Sequence, residues 1–219
     1  MNLYKNVIFD LDGTLLNTLD DLAESMNAVL SDAGYPVHPV EAYKYFVGDG
    51  IEKLVERTLP PELLNEEAIT KNVKAMIEAY GRRWAEKTTP YPGIPAMLDQ
   101  LTQRGVNMMI LSNKPHDFTL KTVSHLLPAW RFKAVVGASN DTPKKPDPAG
   151  AVKLARKFTL SSSDILYLGD TGTDMLTASR AGMFPVGALW GFRTEKELRE
   201  YGAKALVRNP VDLLSYIAA

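Results

Sequence analysis

Val7-Ile8-Phe9-Asp10-Leu11-Asp12-Gly13-Thr14-Leu15-Leu16 opens on three apolar residues that read as a buried strand. The strand runs into one carboxylate, a second carboxylate two positions on, and then a glycine. Side chains two apart on an extended chain point the same way, so Asp10 and Asp12 converge where the strand ends. In a parallel sheet that is the end at which ligands bind. Gly13 lets the chain turn away at once, because glycine tolerates backbone angles that other residues avoid. Two carboxylates 4 Å apart repel by roughly 4 kcal/mol at an effective dielectric of about 20. A fold keeps such a pair where a cation or a shared proton offsets the repulsion. The plainer alternative is a strand end with a capping aspartate and a turn; the attached Gly-Thr-Leu favours chemistry.

The remaining sequence limits what that pair can be. At 219 residues there is room for one large domain or two small ones, with a sizeable core. Apolar residues make up 45% and charged residues 23%, as in ordinary globular proteins, and a net charge of −1 carries no mark of nucleic-acid binding. Cysteine is absent, which excludes disulfides, thiolate metal sites and a cysteine nucleophile. No apolar run is long enough to span a membrane, and a strand beginning by Val7 leaves no room for a signal peptide. The expectation is a cytoplasmic monomer or homodimer with no nucleic-acid or membrane partner.

After the opening strand, Thr18 and Asp21 are spaced as a capping box. Leu19, Leu22, Ala23, Met26, Val29, Leu30 and Ala33 follow at helical spacing, and Gly34 and Pro36 end that helix. Shorter helical patterns near 39–46 and 51–59 are separated by Gly48-Asp49-Gly50. A longer one, about 66–84, carries Ile69, Val73, Met76, Ile77, Tyr80 and Trp84 on one stripe. The pattern changes at the linker Thr88-Thr89-Pro90-Tyr91-Pro92-Gly93. Beyond it, helices over 94–104, 116–126, 148–158, 173–181, 194–201 and 211–217 alternate with strands over 106–111, 132–137, 164–168, 184–189 and 205–208. Such alternation with short connections predicts a doubly wound, Rossmann-like parallel sheet, an α/β fold. Residues 1–15 and 87–219 form this core, and 16–86 form an all-helical cap inserted over Asp10 and Asp12, where lids sit.

Other strand ends supply candidate partners. The strand over 106–111 leads into Ser112-Asn113-Lys114, whose hydroxyl and backbone N–H groups suit a phosphate oxygen; Ser112 suits a helix cap equally. Lys145 lies in a loop stiffened by Pro143 and Pro146, and a rigidly held ammonium neutralises a phosphoryl group. The strand over 164–168 ends in Gly169-Asp170-Thr171-Gly172-Thr173-Asp174. Either Asp170 or Asp174 alone suits an N-cap; the two together suit Mg²⁺, which takes few protein carboxylates plus water and phosphate oxygens.

Taken in order, these residues resemble the four motifs of the haloacid dehalogenase superfamily, the aspartate-nucleophile phosphatases. Asp10-Leu11-Asp12-Gly13-Thr14 is similar to the first motif, Ser112 to the second, Lys145 to the third, and Gly169-Asp170 with Asp174 to the fourth. The resemblance implies a Mg²⁺-dependent phosphatase acting on a small phosphorylated metabolite. It implies that Asp10 attacks phosphorus and that Asp12 serves as acid and then base. Mg²⁺ would be held by Asp10, the Asp12 carbonyl and Asp170, with Asp174 in support. Ser112, Asn113 and Lys145 would stabilise the phosphoryl oxygens, with Thr14 of the first motif also near the substrate. Four carboxylates and a phosphomonoester dianion carry about −6, of which Mg²⁺ and Lys145 return about +3, so the site makes sense only with a cation.

Within the superfamily, Asp12 argues against the dehalogenases and phosphonate hydrolases, which lack that second acid. The β-phosphoglucomutases place a histidine where Leu22 stands. Phe46-Val47-Gly48-Asp49-Gly50 and Trp190-Gly191-Phe192-Arg193 look like the phosphoglycolate phosphatases, although Asn17 replaces their usual aspartate. Gly48, Asp49 and Gly50 are therefore candidate substrate contacts, with the helix start at Ile51 suited to a small carboxylate. The charge of Asp49 opposes this unless it points away, and a plain helix-to-helix turn is the alternative. A mutase, a pyrophosphatase and a receiver-like phospho-acceptor are the competing functions. Receivers run to only about 120 residues and carry their acceptor on a central strand, unlike Asp10.

Overall fold

The computed structural model describes residues 3–218. From the N-terminus, β1 (Asn6–Phe9) and the two-residue β2 (Leu16–Asn17) lead into α1 (Leu19–Asp32), α2 (Tyr43–Phe46), α3 (Ile51–Thr58) and α4 (Glu66–Arg83). A second short strand, β3 (Thr89–Pro90), precedes α5 (Ile94–Gln103), β4 (Asn107–Pro115), α6 (His116–Leu126), β5 (Ala134–Ala138) and α7 (Ala149–Lys157). The chain closes with β6 (Ile165–Gly169), α8 (Gly172–Arg180), β7 (Phe184–Ala188), α9 (Glu195–Glu200) and β8 (Ala205–Val207).

Six strands form one parallel sheet in the order β5-β4-β1-β6-β7-β8. β1 sits between β4 and β6, so Asp10 follows a central strand, which corrects the expected contrast with the receivers, and the direction of winding reverses beside it. A crevice opens at such a reversal, beyond the carboxyl ends of the strands. Strand alternation explains why β1 is apolar throughout. Val7 and Phe9 enter the core cluster built with α5 and α6, while Ile8 enters the opposite one with α7 and α8. Each is completely buried, which stabilises the fold by about 1.5–3 kcal/mol per side chain.

The helices α1 to α4 build a third cluster around Met26, Leu30, Tyr43, Leu54, Met76 and Tyr80, which Phe192 joins from the far side. The chain enters this block through β2 and leaves through β3, which pair antiparallel. Asp21 fastens the return crossing: its carboxylate accepts the backbone N–H of Lys87 at 3.0 Å and of Thr88 at 2.9 Å, and the Thr88 hydroxyl at 2.6 Å. This corrects the expected capping box. Thr18 makes no side-chain cap, and its buried hydroxyl has no partner, because the donors that Asp21 meets come from the other crossing.

Three further expectations need correction. β4 does not stop at Leu111 but continues to Pro115, with a register shift against β5. The α4 stripe is rotated: Met76 and Tyr80 are buried, whereas Ile77 is exposed. The expected terminal α-helix is a 3₁₀ run, Pro210–Tyr216, with a capping box of Asn209 and Asp212.

Candidate active site

Two central strand ends, those of β1 and β6, deliver the acidic residues. Asp10 follows β1 and donates its N–H to Leu168 O at 2.9 Å, which fixes it between β1 and β6. Asp170 follows β6, and Asp174 lies in the first turn of α8. Oxygen atoms of Asp10, Asp170 and Asp174 lie within 4.8 Å of one another, and all three residues are buried. Gly13, with φ +90°, turns the backbone beside them. A Cβ there would meet Phe192, and one at Gly191 would overlap Asp170, so both glycines permit close approach of the two loops.

Asp10 and Asp174 share one ammonium, whereas Asp170 and Asp12 have other partners. Lys145 Nζ lies 2.7 Å from Asp10 Oδ1 and 2.6 Å from Asp174 Oδ1. Asp174 also accepts the Thr171 N–H and hydroxyl, closing the cap of α8. Asp170 accepts the Thr14 hydroxyl at 2.8 Å and the Phe192 N–H at 2.8 Å. Asp12 stands outside the acidic cluster, and Lys114 Nζ reaches its two oxygens at 3.0 and 3.2 Å. The third neighbour of that ammonium is the Tyr80 hydroxyl, 2.7 Å away, from α4.

Charge and burial oppose each other here. Burial, with Asp174 beside it, raises the Asp10 carboxyl well above the usual range although Lys145 works against this. Burial, with Asp174 adding to it, pushes Asp170 up to about 7. For Lys145 burial disfavours the charge, but Asp10 and Asp174 more than offset it and the ammonium is held more firmly. The hard oxygen donors suit Mg²⁺, and three crowded acids with one ammonium leave negative charge for a cation to neutralise.

A cavity of about 50 Å³ lies between this cluster and the helical block. Asp10, Asp12, Ser112, Asn113 and Lys114 line it from the sheet; Leu22, Val47, Gly48, Gly50, Ile51, Leu54 and Tyr80 line it from the block. Three expected substrate contacts have protein partners for their side chains. Asp49 bonds Arg57 at 2.5 Å and the Thr173 hydroxyl at 2.7 Å, which anchors its loop to α8 and aims its charge away from the cavity. Thr14 is wholly buried against Asp170. Both ends of the Asn113 side chain are engaged: Oδ1 accepts Lys145 N–H at 2.7 Å, and Nδ2 donates to Lys145 O and Gly48 O at 3.0 and 3.2 Å. It braces the Lys145 loop.

Residues 7–188 match the family of haloacid dehalogenase-like hydrolases. The chain belongs to that family. A phosphoglycolate phosphatase from Psychrobacter arcticus is 29% identical over 202 residues, covering 89% of this chain and 87% of its own. Another phosphoglycolate phosphatase, from Pseudomonas fluorescens strain Pf0-1, is 31% identical and covers 89% and 72%. A crystal structure from Lactobacillus delbrueckii subsp. bulgaricus superposes with a TM-score of 0.92 at 26% identity, covering 99% of this chain and 100% of that one. The protein is thus a haloacid dehalogenase-like enzyme of the phosphatase type, similar to phosphoglycolate phosphatases.

Lys114 and Tyr80 were not singled out from the sequence. Lys114 had a signal: it lies two residues after Ser112, and on an extended chain the two share a face. Tyr80 had none beyond its place on an apolar stripe, because helical spacing does not say what a face meets.

Proposed function

We propose that this enzyme is a Mg²⁺-dependent phosphatase that hydrolyses a small phosphomonoester, of the 2-phosphoglycolate type, through an aspartyl-phosphate on Asp10. Residues 16–86 act as its cap, over a core of 1–15 and 87–219. The observation that carries this reading is the division of labour between the two aspartates. Asp10 is buried among acids and held by Lys145, whereas Asp12 is held apart by Lys114. On this reading Asp10 attacks and Asp12 moves protons.

In the first step an Asp10 carboxylate oxygen bonds to phosphorus as the ester P–O bond breaks. The departing alkoxide takes a proton from Asp12. In the second step Asp12 removes a proton from water, whose oxygen attacks the phosphoryl group and frees Asp10 and inorganic phosphate. Lys145 and Ser112 stabilise the phosphoryl oxygens. Asp10, Asp170 and the Asp12 carbonyl would hold Mg²⁺, with Asp174 in support; bound there, the ion supplies charge neutralisation for the phosphoryl group.

The room beneath the cap supports a small leaving group, since about 50 Å³ corresponds to a few water molecules. Leu22 lines this space where a mutase would carry a histidine, which favours a hydrolase. The backbone of Gly48 and Gly50 lies beside it, and with Asp49 neutralised elsewhere the loop has no charge to repel a carboxylate. Phosphate release from 2-phosphoglycolate and from a panel of phosphorylated metabolites, with Mg²⁺ present, tests the reading. Mass spectrometry after an acid-quenched substrate pulse should find phosphate on Asp10, and Asp10→Asn should leave only background turnover. An Asp10→Asn enzyme at near-normal rate overturns the mechanism.

A further inference from the structure

Asp12 is the more exposed of the two motif aspartates and follows the strand on a turn. Among the described residues, the one hydrogen-bond donor to its carboxylate is Lys114. The Lys114 side chain is almost wholly buried, and its ammonium has three protons and three acceptors: two oxygens of Asp12 and the Tyr80 hydroxyl. Asp12 and Lys114 belong to the sheet, whereas Tyr80 belongs to α4 of the helical block. The chain Asp12–Lys114–Tyr80 is therefore complete only when the block is seated on the sheet.

We infer that Lys114 and Tyr80 are positioning residues for Asp12, through which the helical block sets the orientation of the acid. The Tyr80 hydroxyl accepts a hydrogen bond from the third ammonium N–H and fixes the lysine, and the lysine fixes both carboxylate oxygens. With the block lifted, Lys114 loses that acceptor and Asp12 loses the geometry required for proton transfer to the leaving oxygen. Nucleophilic attack by Asp10 does not pass through this chain, because the ammonium at Asp10 is Lys145, shared with Asp174 and not with Asp12. The inference rests on the acid role proposed for Asp12.

The two steps separate by leaving group. An alkyl phosphate needs a proton on its departing oxygen; p-nitrophenyl phosphate does not. Rapid-quench measurement of alcohol or nitrophenol release in the first turnover, with Mg²⁺ bound, isolates phosphoryl transfer from the later hydrolysis. Tyr80→Phe removes only the hydroxyl and should slow the alkyl ester by about tenfold and the aryl ester by much less. Lys114→Met should show the same split more strongly, approaching the roughly 10²-fold or greater loss typical of a missing acid. Asp12→Ala is the reference. A split in Asp12→Ala with equal losses on both esters, or no loss, in Tyr80→Phe overturns the positioning role while the acid role stands. An Asp12→Ala enzyme without a split overturns the acid role and the positioning role together. Circular dichroism on each variant shows that the comparison is between folded proteins.

Discussion

Asp10 and Asp12 each have an ammonium group within 3.0 Å, but among the described residues Asp170 forms no ion pair and accepts from a hydroxyl and a backbone N–H. Burial first, then Asp174, pushes its carboxyl up to about 7. That shift links stability to pH. Below the unfolded carboxyl pKa of about 4, folded and unfolded chains both hold the proton. Between about 4 and 7 the folded chain alone holds it, so stability falls as pH rises through that window. Asp10 is raised as well and acts in the same direction. Asp49 and Glu52 are shifted down and lose their contribution below the window, while Lys145 is shifted up and loses its contribution far above it. The metal-free protein should therefore lose on the order of a few kcal/mol between pH 5 and pH 8, read as a falling Tm in EDTA. Mg²⁺ should raise Tm more at pH 8 than at pH 5, because it competes with protons for the carboxylates. A flat Tm in EDTA across this range would contradict the buried, unpaired state of Asp170.

At the scale of elements, the segment 44–52 of the helical block makes polar contacts with the end of β4 and with the segments after β5, β6 and β7. Arg193, after β7, donates to the carbonyls of Lys44 and of Val47, the latter at 3.1 Å, and pairs with Glu197 at 3.1 Å. Asp49 reaches Thr173 at the start of α8, Asn113 reaches Gly48, and Lys144 reaches Glu52. The exposed Lys144 pair contributes little, since water screens it. Arg193 is different, because its side chain is 8% exposed and its donors meet carbonyls directly. A hydrogen bond to a charged group is worth about 1.5–3 kcal/mol, so Arg193→Met should raise KM for a small phosphate ester roughly tenfold or more. The same change should speed proteolytic cleavage in residues 44–52 without lowering the yield of folded protein. Unchanged KM and unchanged cleavage would mean that the block is held by its apolar contacts alone.

Across the whole molecule, the apolar contacts divide between sheet and block. Two clusters flank the sheet and the third lies among α1, α3 and α4, with Phe192 as the buried residue that the third takes from the far side. Two short paired strands and the Asp21 clamp join the parts. Units with separate cores open with separate free energies. Met76→Ala removes a completely buried side chain from the block and should cost about 2–5 kcal/mol there. In native-state hydrogen exchange, amides of α1, α3 and α4 should exchange faster by a corresponding factor, while those of β1, β4 and β6 change little. Equal acceleration everywhere would show that sheet and block unfold as one cooperative unit.

The sequence by itself determined the order and kind of the elements. A purely helical run followed by strand–helix alternation specified a parallel α/β sheet, and the unbroken apolarity of Val7, Ile8 and Phe9 specified a strand buried on both faces. It also put Asp10 and Asp170 at strand ends, because each carboxylate closes a short apolar run and is followed at once by turn residues. Local pattern could do this because it depends on periodicity and on neighbours in the chain. What the tertiary structure decided was how distant residues meet. Asp21 serves the return crossing rather than Thr18, Asn113 braces the Lys145 loop, Asp49 turns to Thr173, and Lys114 joins Asp12 to Tyr80. Each of these side chains has several acceptors or donors within reach of its type. The choice among them is made by which groups the packed helices bring within 3 Å, and no spacing along the chain encodes that distance.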